Sequence, residues 1–264
     1  MLGVSIPTMN DRMTLLRLDI ERETIPDADV TLDKTPHVVR AIAKYGSWNG
    51  IVYSRFLSEE AEMVISCEIG FFTKLQRSFE WKIYSHDEPP DLLERLRSRG
   101  FKIGEEEVLM ILDLEEVPPP LLAPAPAGVT VKSIADVEGI ADFLSVEGAI
   151  WNHQRTTQEF LLSMLSDPPQ RDSAFVAYFA QKPIGIGRVA APPQSHFAGL
   201  WGGSVLQEFR GHGVYRALLA ARIQQARRLD SIRYLRVDAL PTSRPILEKY
   251  GFRKVASTWP ADWP

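Results

Sequence analysis

Arg210-Gly211-His212-Gly213 is the stretch whose residue types and spacing point most directly to chemistry. Two of its four positions lack a Cβ, so the backbone there can turn sharply and approach a ligand closely. An apolar, strand-like run ending in Val205-Leu206 leads into it, and a helix-like run opening Val214-Tyr215-Arg216-Ala217 leads out. The first N–H groups of a helix have no partner inside it and together present about half a positive charge. A glycine loop that opens a helix is therefore an anion site, with phosphate as its commonest guest.

The elements around the loop must hold a strand, a turn and a helix in line, and the second half of the chain reads as such an alternating unit. A strand is expected over 129–132, helices over 136–147 and 156–166, and a break at Asp167-Pro168-Pro169. A hairpin follows, with strands 174–180 and 184–191 joined at Gln181-Lys182-Pro183. Strand 197–206 carries Gly199, Gly202 and Gly203, and glycines inside a strand signal a bulge or a close approach. Helix 214–229, strand 234–239, helix 243–250 and strand 252–257 complete the order.

The first half is patterned less clearly. A helix is expected over 11–22. Another is expected from Thr35-Pro36-His37, with Val38, Val39, Ile42 and Tyr45 on one face and Gly46 ending it. Strands are expected over 51–56, 62–72, 78–84, 101–103 and 108–114. Asp87 is expected to cap helix 91–99, which turns Leu92, Leu93 and Leu96 inward and stops at Gly100.

Between the halves, Val117 to Gly128 holds five prolines in twelve residues, which reads as an extended spacer. The chain accordingly divides at 1–116, 117–128 and 129–264. Residues 93–102 resemble 246–254, since each is an amphipathic helix, a glycine stop, a phenylalanine and a strand. A decayed duplication and a chance recurrence of a common stop both account for this. The first half has no counterpart of the Arg210–Gly213 loop.

Composition limits the function classes. At 264 residues, 45% of them hydrophobic, the chain is long enough for a sizeable core in one or two domains. A net charge of −4 argues against non-specific nucleic-acid binding. No apolar run reaches the roughly 18 residues of a membrane span, and the N-terminus lacks a signal-peptide core. The single cysteine, Cys67, excludes an internal disulfide and a cysteine-rich metal site. Its apolar run reads as a buried, inert thiol, and the chain as cytoplasmic.

Three ligand classes use a strand, a glycine loop and a helix. The dinucleotide fingerprint needs a third glycine where this chain has Arg216, and a P-loop needs a Gly-Lys-Ser/Thr that is absent. The remaining pattern, Arg210-Gly211-His212-Gly213-Val214-Tyr215, resembles motif A of the GNAT superfamily of N-acetyltransferases. Tyr215 stands where that family usually has a small residue, and Arg216 matches its frequent basic residue. The resemblance, to a tandem type with a degenerate N-terminal lobe, implies an α/β (α+β) fold. Its centre is a mixed, mostly antiparallel, splayed sheet flanked by helices, preceded by a smaller lobe of the same kind.

The resemblance further implies acetyl-CoA as donor substrate and an acetyl group moved to a primary amine by direct attack in a ternary complex. It implies that Val205 and Leu206 offer backbone groups to the pantetheine arm. Arg210, Gly211, His212, Gly213, Val214, Tyr215 and Arg216 would then surround the phosphates. The acceptor is a small-molecule or peptide amine. No metal, nucleic acid or membrane is implied, and the oligomeric state stays open.

The catalytic groups do not identify themselves. The family's frequent strand glutamate is missing from 197–206, and its frequent helix tyrosine is replaced by Leu247. Tyr250, three residues on, is turned about 300° around the helix from that slot. His153 lies between the first two helices of the second half, where the family builds part of its acceptor pocket. Asp238 follows the loop helix on the next strand and is placed to act through water. These three are the catalytic candidates, His153 through contact with the substrate; Arg222 is expected to pair with Asp238, and Ser243 to cap the last helix. A non-catalytic acyl-CoA-binding or regulatory module is the alternative to an enzyme.

Overall fold

In the computed structural model, which describes residues 9–26, 30–44, 48–166 and 171–264, strands from opposite ends of the chain meet in the middle of one sheet. The first half forms α1 (Met9–Thr24), β1 (Val30–Lys34), β2 (Val38–Ala43), β3 (Gly50–Ser54), α2 (Ala61–Lys74), β4 (Phe79–Tyr84), α3 (Leu92–Ser98), β5 (Lys102–Ile103) and β6 (Glu107–Asp113). After α4 (Pro119–Leu122) come β7 (Val129–Ser133), α5 (Val137–Trp151), α6 (Gln158–Leu165), β8 (Ser173–Phe179), β9 (Lys182–Ala190) and β10 (Phe197–Val205). The chain ends with α7 (Val214–Ala226), β11 (Tyr234–Ala239), α8 (Arg244–Lys249) and β12 (Arg253–Trp263). The described strands make one twelve-stranded sheet in the order β1-β2-β3-β4-β12-β6-β11-β10-β9-β8-β7, with β5 on β12. The pairs β3/β4 and β10/β11 are parallel, and the other pairs are antiparallel.

The two halves exchange strands. The last strand, β12, lies between β4 and β6, while β6 of the first half lies between β12 and β11. The sequence of β6 explains its central place, because Val108 to Leu112 is an unbroken apolar run and a strand buried on both faces needs one. Val108, Met110 and Leu112 pack beneath α4, α7 and α8 with Leu121, Leu219 and Leu247. Leu109 and Ile111 face the other way, against Leu18 of α1, Tyr84 and Phe197. The first half has its own core around Ile51, Ile65, Phe72, Trp81, Leu92 and Leu96, and α5 and α6 close a fourth cluster over β8 and β9.

Several sequence expectations are corrected. The segment expected as a helix from Thr35 is strand β2, with Thr35 closing a tight turn. Its Oγ1 accepts from the backbone N–H of His37 and Val38, at 3.2 and 2.9 Å. The β-branched Val38, Val39 and Ile42 then suit a pleated strand better than a helix. Conversely, 62–72 is not a strand but belongs to α2, where Ala61, Val64, Ile65, Glu68 and Phe72 form a helical stripe. That stripe leaves Cys67 exposed rather than buried. Asp87 does not cap α3; it accepts from the Tyr84 N–H at 2.9 Å and from Arg22. Ser243 makes no capping bond and donates to the Leu240 carbonyl at 3.1 Å. Tyr45 and Gly46, and the expected break at Asp167–Pro169, lie outside the described residues.

The recurring Gly-Phe stops share one geometry. Gly100 and Gly251 sit at φ +97° and +84°, and Phe101 and Phe252 each donate back to a buried leucine, Leu96 and Leu247, at 3.1 Å. A left-handed glycine with this reach-back bond satisfies carbonyls that the helix end leaves open. The proline-rich segment is more than a spacer, because Val117 and Leu121 enter the core beneath α7 and α8.

Candidate functional site

β10 pairs with β11 only at Phe197, Ala198 and Gly199, opposite Tyr234, Leu235 and Arg236. Beyond that point the two parallel strands part. On its other side β10 carries a register shift between Trp201 and Ser204, with Gly202 at φ +58°. The bulge that the strand glycines signal is therefore at the parting.

The chain then turns through Arg210–Gly213 into α7. Gly211 and Gly213 lie at φ +80° and +76°, a conformation that costs other residues about 1–2 kcal/mol. The first helical hydrogen bond is that of the Ala217 N–H to the Gly213 carbonyl, so the N–H groups of Val214, Tyr215 and Arg216 precede it. Among the described residues no side chain caps this end, and no acidic residue lies in its first turn. The electropositive helix end is thus bare beside the parted strands.

The individual loop residues divide by what already engages them. Arg210 Nε donates to the Val205 carbonyl at 3.1 Å, closing the strand end. The Leu206 N–H donates to the Ile184 carbonyl and the Leu206 carbonyl accepts from Phe209, both at 2.9 Å. His212 is exposed, and its Nδ1 donates to the Arg210 carbonyl at 2.8 Å. Arg216 grips the proline-rich segment, donating to the carbonyls of Pro120, Ala123 and Pro124 at 3.0, 2.9 and 2.6 Å. Three carbonyls around one guanidinium make a clamp, so Arg216 holds the segment across the start of α7.

The catalytic candidates are not bonded to one another. His153 is exposed on the turn between α5 and α6, a turn pinned by Glu147, which accepts from the N–H groups of Arg155 and Thr156 at 2.9 Å. Tyr250 packs against the core at the end of α8. Asp238 lies 3.5 Å from Lys82 Nζ and accepts from Thr258 Oγ1 at 3.3 Å, with Lys82 also bound to Glu107. Burial alone would pull the Lys82 ammonium down, but Asp238 and Glu107 outweigh it and hold the pKa above its ordinary value. Burial, aided by Asp238, pushes the Tyr84 phenol up. Lys82 and Glu107 come from the first half, and no local feature of the sequence places β4 and β6 beside Asp238.

Arg222 does not pair with Asp238, because the pleat puts them on opposite faces. Leu235 and Ala239 of β11 turn toward α7, so Asp238 between them turns away. Arg222 is 1% exposed, its Nε donates to the Leu218 carbonyl at 3.2 Å, and its Nη2 has no partner among the described residues. Burial lowers its pKa, and the nearby Tyr215, whose ring centre lies 5.8 Å from the Arg222 Cζ, opposes that. An unmade bond to a buried charged donor costs upward of about 1–3 kcal/mol.

The corresponding parting in the first half is filled. β3 and β4 pair only at Gly50/Glu80 and Ile51/Trp81. Arg22 from α1 then donates to the Val52 carbonyl at 2.9 Å, forks onto Asp87 at 3.1 Å and lies 3.4 Å from the centre of the Tyr84 ring. Nearby, Trp81 Nε1 donates to Ser54 Oγ at 3.3 Å. The approach to α2 is acidic, with Glu59, Glu60 and Glu62, and Glu60 accepts from the Leu57 N–H at 2.8 Å. Negative charge at a helix N-terminus repels phosphate.

Residues 139–252, from α5 to the second Gly-Phe stop, match the model of the GNAT acetyltransferase family. No curated protein matches the sequence. Among solved structures, a GCN5-related N-acetyltransferase from Kribbella flavida aligns over 99% of this chain and 97% of its own, with a TM-score of 0.69 and 15% identity. A tandem GNAT protein from the clavulanic acid biosynthesis pathway covers 97% and 95%, with a TM-score of 0.61 and 15% identity. A GCN5-related N-acetyltransferase from Sphaerobacter thermophilus covers 88% and 82%, with a TM-score of 0.58 and 15% identity. These likenesses are of fold.

Proposed function

We propose, from a chain whose residues 139–252 match the GNAT acetyltransferase family and whose fold resembles that of a GCN5-related N-acetyltransferase from end to end, that this protein transfers an acetyl group from acetyl-CoA to a primary amine. One observation carries the reading, the bare N-terminus of α7 following directly on a strand that has parted from its neighbour. The pyrophosphate would rest on the N–H groups of Val214, Tyr215 and Arg216, with Gly211, His212 and Gly213 around it. The pantetheine arm would run back along β10, past Val205 and Leu206, toward the bulge.

The amine would attack the thioester directly while both substrates are bound. Asp238, 3.5 Å from Lys82 Nζ, is the group proposed to draw off its proton through water. The division into a lobe of 1–116, a linker and a catalytic lobe of 129–264 is part of the proposal. The filled parting beside Arg22 supports a first lobe that binds no donor. A cytoplasmic setting is proposed with it; no helix among the described residues is long and apolar enough to cross a membrane.

Isothermal titration with acetyl-CoA tests the donor site, and an absence of binding at millimolar ligand overturns it. The buried, apolar Leu247 on α8 favours the other reading, a non-catalytic acyl-CoA-binding module. Amine-dependent thiol release across an amine library decides between them, because only an enzyme turns over.

A further inference from the structure

Arg222 is a buried charge that neither the packing nor the proposed reaction uses so far. Its guanidinium occupies room left by two strand glycines. A Cβ on Gly187 of β9 would lie 3.1 Å from its Cζ, and one on Gly203 of β10 would lie 3.0 Å from Nη1 and 3.1 Å from Nη2. Tyr215, seven residues earlier and so on the same side of α7, brings its ring edge 3.2 Å from the same Gly203 position. Gly203 lies in the β10 bulge, past the point where the strand has left β11. Among the described residues Nη2 has no partner there. A hydrophobic residue of similar length would fill this space without stranding a charge, so packing does not explain an arginine.

We infer that Arg222, braced by Tyr215, is an electropositive platform behind the bulge that takes up negative charge developing on the thioester oxygen of the donor. The inference rests on the proposed acyl transfer. In that reaction the amine lone pair forms a C–N bond to the thioester carbon, and the carbonyl π pair moves onto oxygen. Collapse restores the carbonyl and breaks the C–S bond. Sulfur leaves with the electron pair and takes a proton, while nitrogen gives one up toward Asp238 or water. Between these steps the oxygen carries a full charge that the ground-state thioester lacks. A fixed cation in a water-poor site favours that state selectively, without moving when it forms. Arg222 acts by charge from the α7 side of the strand, opposite the face that carries Asp238 and its neighbours Lys82 and Thr258.

Calorimetric titration of the full chain with three donors tests the platform without an acceptor. S-ethyl-CoA has no oxygen at the acyl position, acetyl-CoA has a carbonyl, and S-carboxymethyl-CoA places anionic oxygens there. The wild type is expected to bind S-carboxymethyl-CoA about tenfold or more tighter than S-ethyl-CoA. Arg222→Met should bind S-ethyl-CoA as the wild type does, with the preference reduced to within about twofold, and melt no lower; Arg222→Lys should keep part of the preference. If Arg222→Met fails to fold, Gly203→Ala is expected to show the same collapse, because its methyl group displaces the guanidinium. A preference unchanged in the folded variants, or a wild type that binds all three donors equally, overturns the platform alone. A wild type that binds none of them overturns the proposed function as well.

Discussion

Gly211 and Gly213 share a backbone conformation but not a neighbourhood. Both lie in the left-handed region, yet a Cβ on Gly211 meets open space, whereas one on Gly213 would lie 2.9 Å from Pro126 Cγ. Gly211→Ala is therefore expected to cost about 1–2 kcal/mol, the conformational penalty alone. Gly213→Ala should cost clearly more, since the proline-rich segment must also shift. Thermal melts of the two variants check the difference, and equal losses would mean that Pro126 gives way freely. The loop itself was legible in the sequence because its signal is local, with glycines, a strand before and a helix after. Arg222 and Asp238 were visible as charges out of pattern, but their partners were not. Those depend on which face of β11 each side chain meets and on β4 and β6, which are remote in sequence.

At the level of elements, the segment from Val117 to Gly128 does more than separate two halves. It begins under α8, where Pro118 crowds Gly251, and ends over the start of α7, where Pro126 crowds Gly213. Arg216 fastens it in between. Arg216→Ala removes three charge-assisted bonds, so cleavage within 117–128 by a broad-specificity protease should rise sharply. Acetyl-CoA affinity should fall less than it does in a variant of the loop itself. An affinity loss with no change in cleavage would return Arg216 to the phosphates. The sequences of α2 and β2 are ambiguous because short apolar runs fit both periods, and burial decides between them. On α2 the helical stripe includes Glu68, which Arg40 neutralises through bonds of 2.6 and 2.8 Å. A carboxylate at a core position obscures the period, and its partner lies on another element.

For the whole molecule, the exchange of β6 and β12 decides whether the halves can live apart. Residues 117–264 alone would lose β6 from the edge of β11 and leave β12 without either neighbour. The four large side chains Leu109, Met110, Ile111 and Leu112 are each no more than 1% exposed. At about 1.5–3 kcal/mol each, their burial contributes on the order of the whole stability of a domain. The sequence indicates that β6 is buried on both faces, but not that strands of the other half flank it. The proline-rich boundary suggests a clean cut that the hydrogen bonding does not respect. The fragment 117–264 is therefore expected to be insoluble or unfolded on its own, and to recover helical circular dichroism and acetyl-CoA binding when co-expressed with 1–116. The intact chain is expected to melt in one transition. A soluble 117–264 that binds acetyl-CoA as tightly as the full chain would show that the second half completes its sheet without β6.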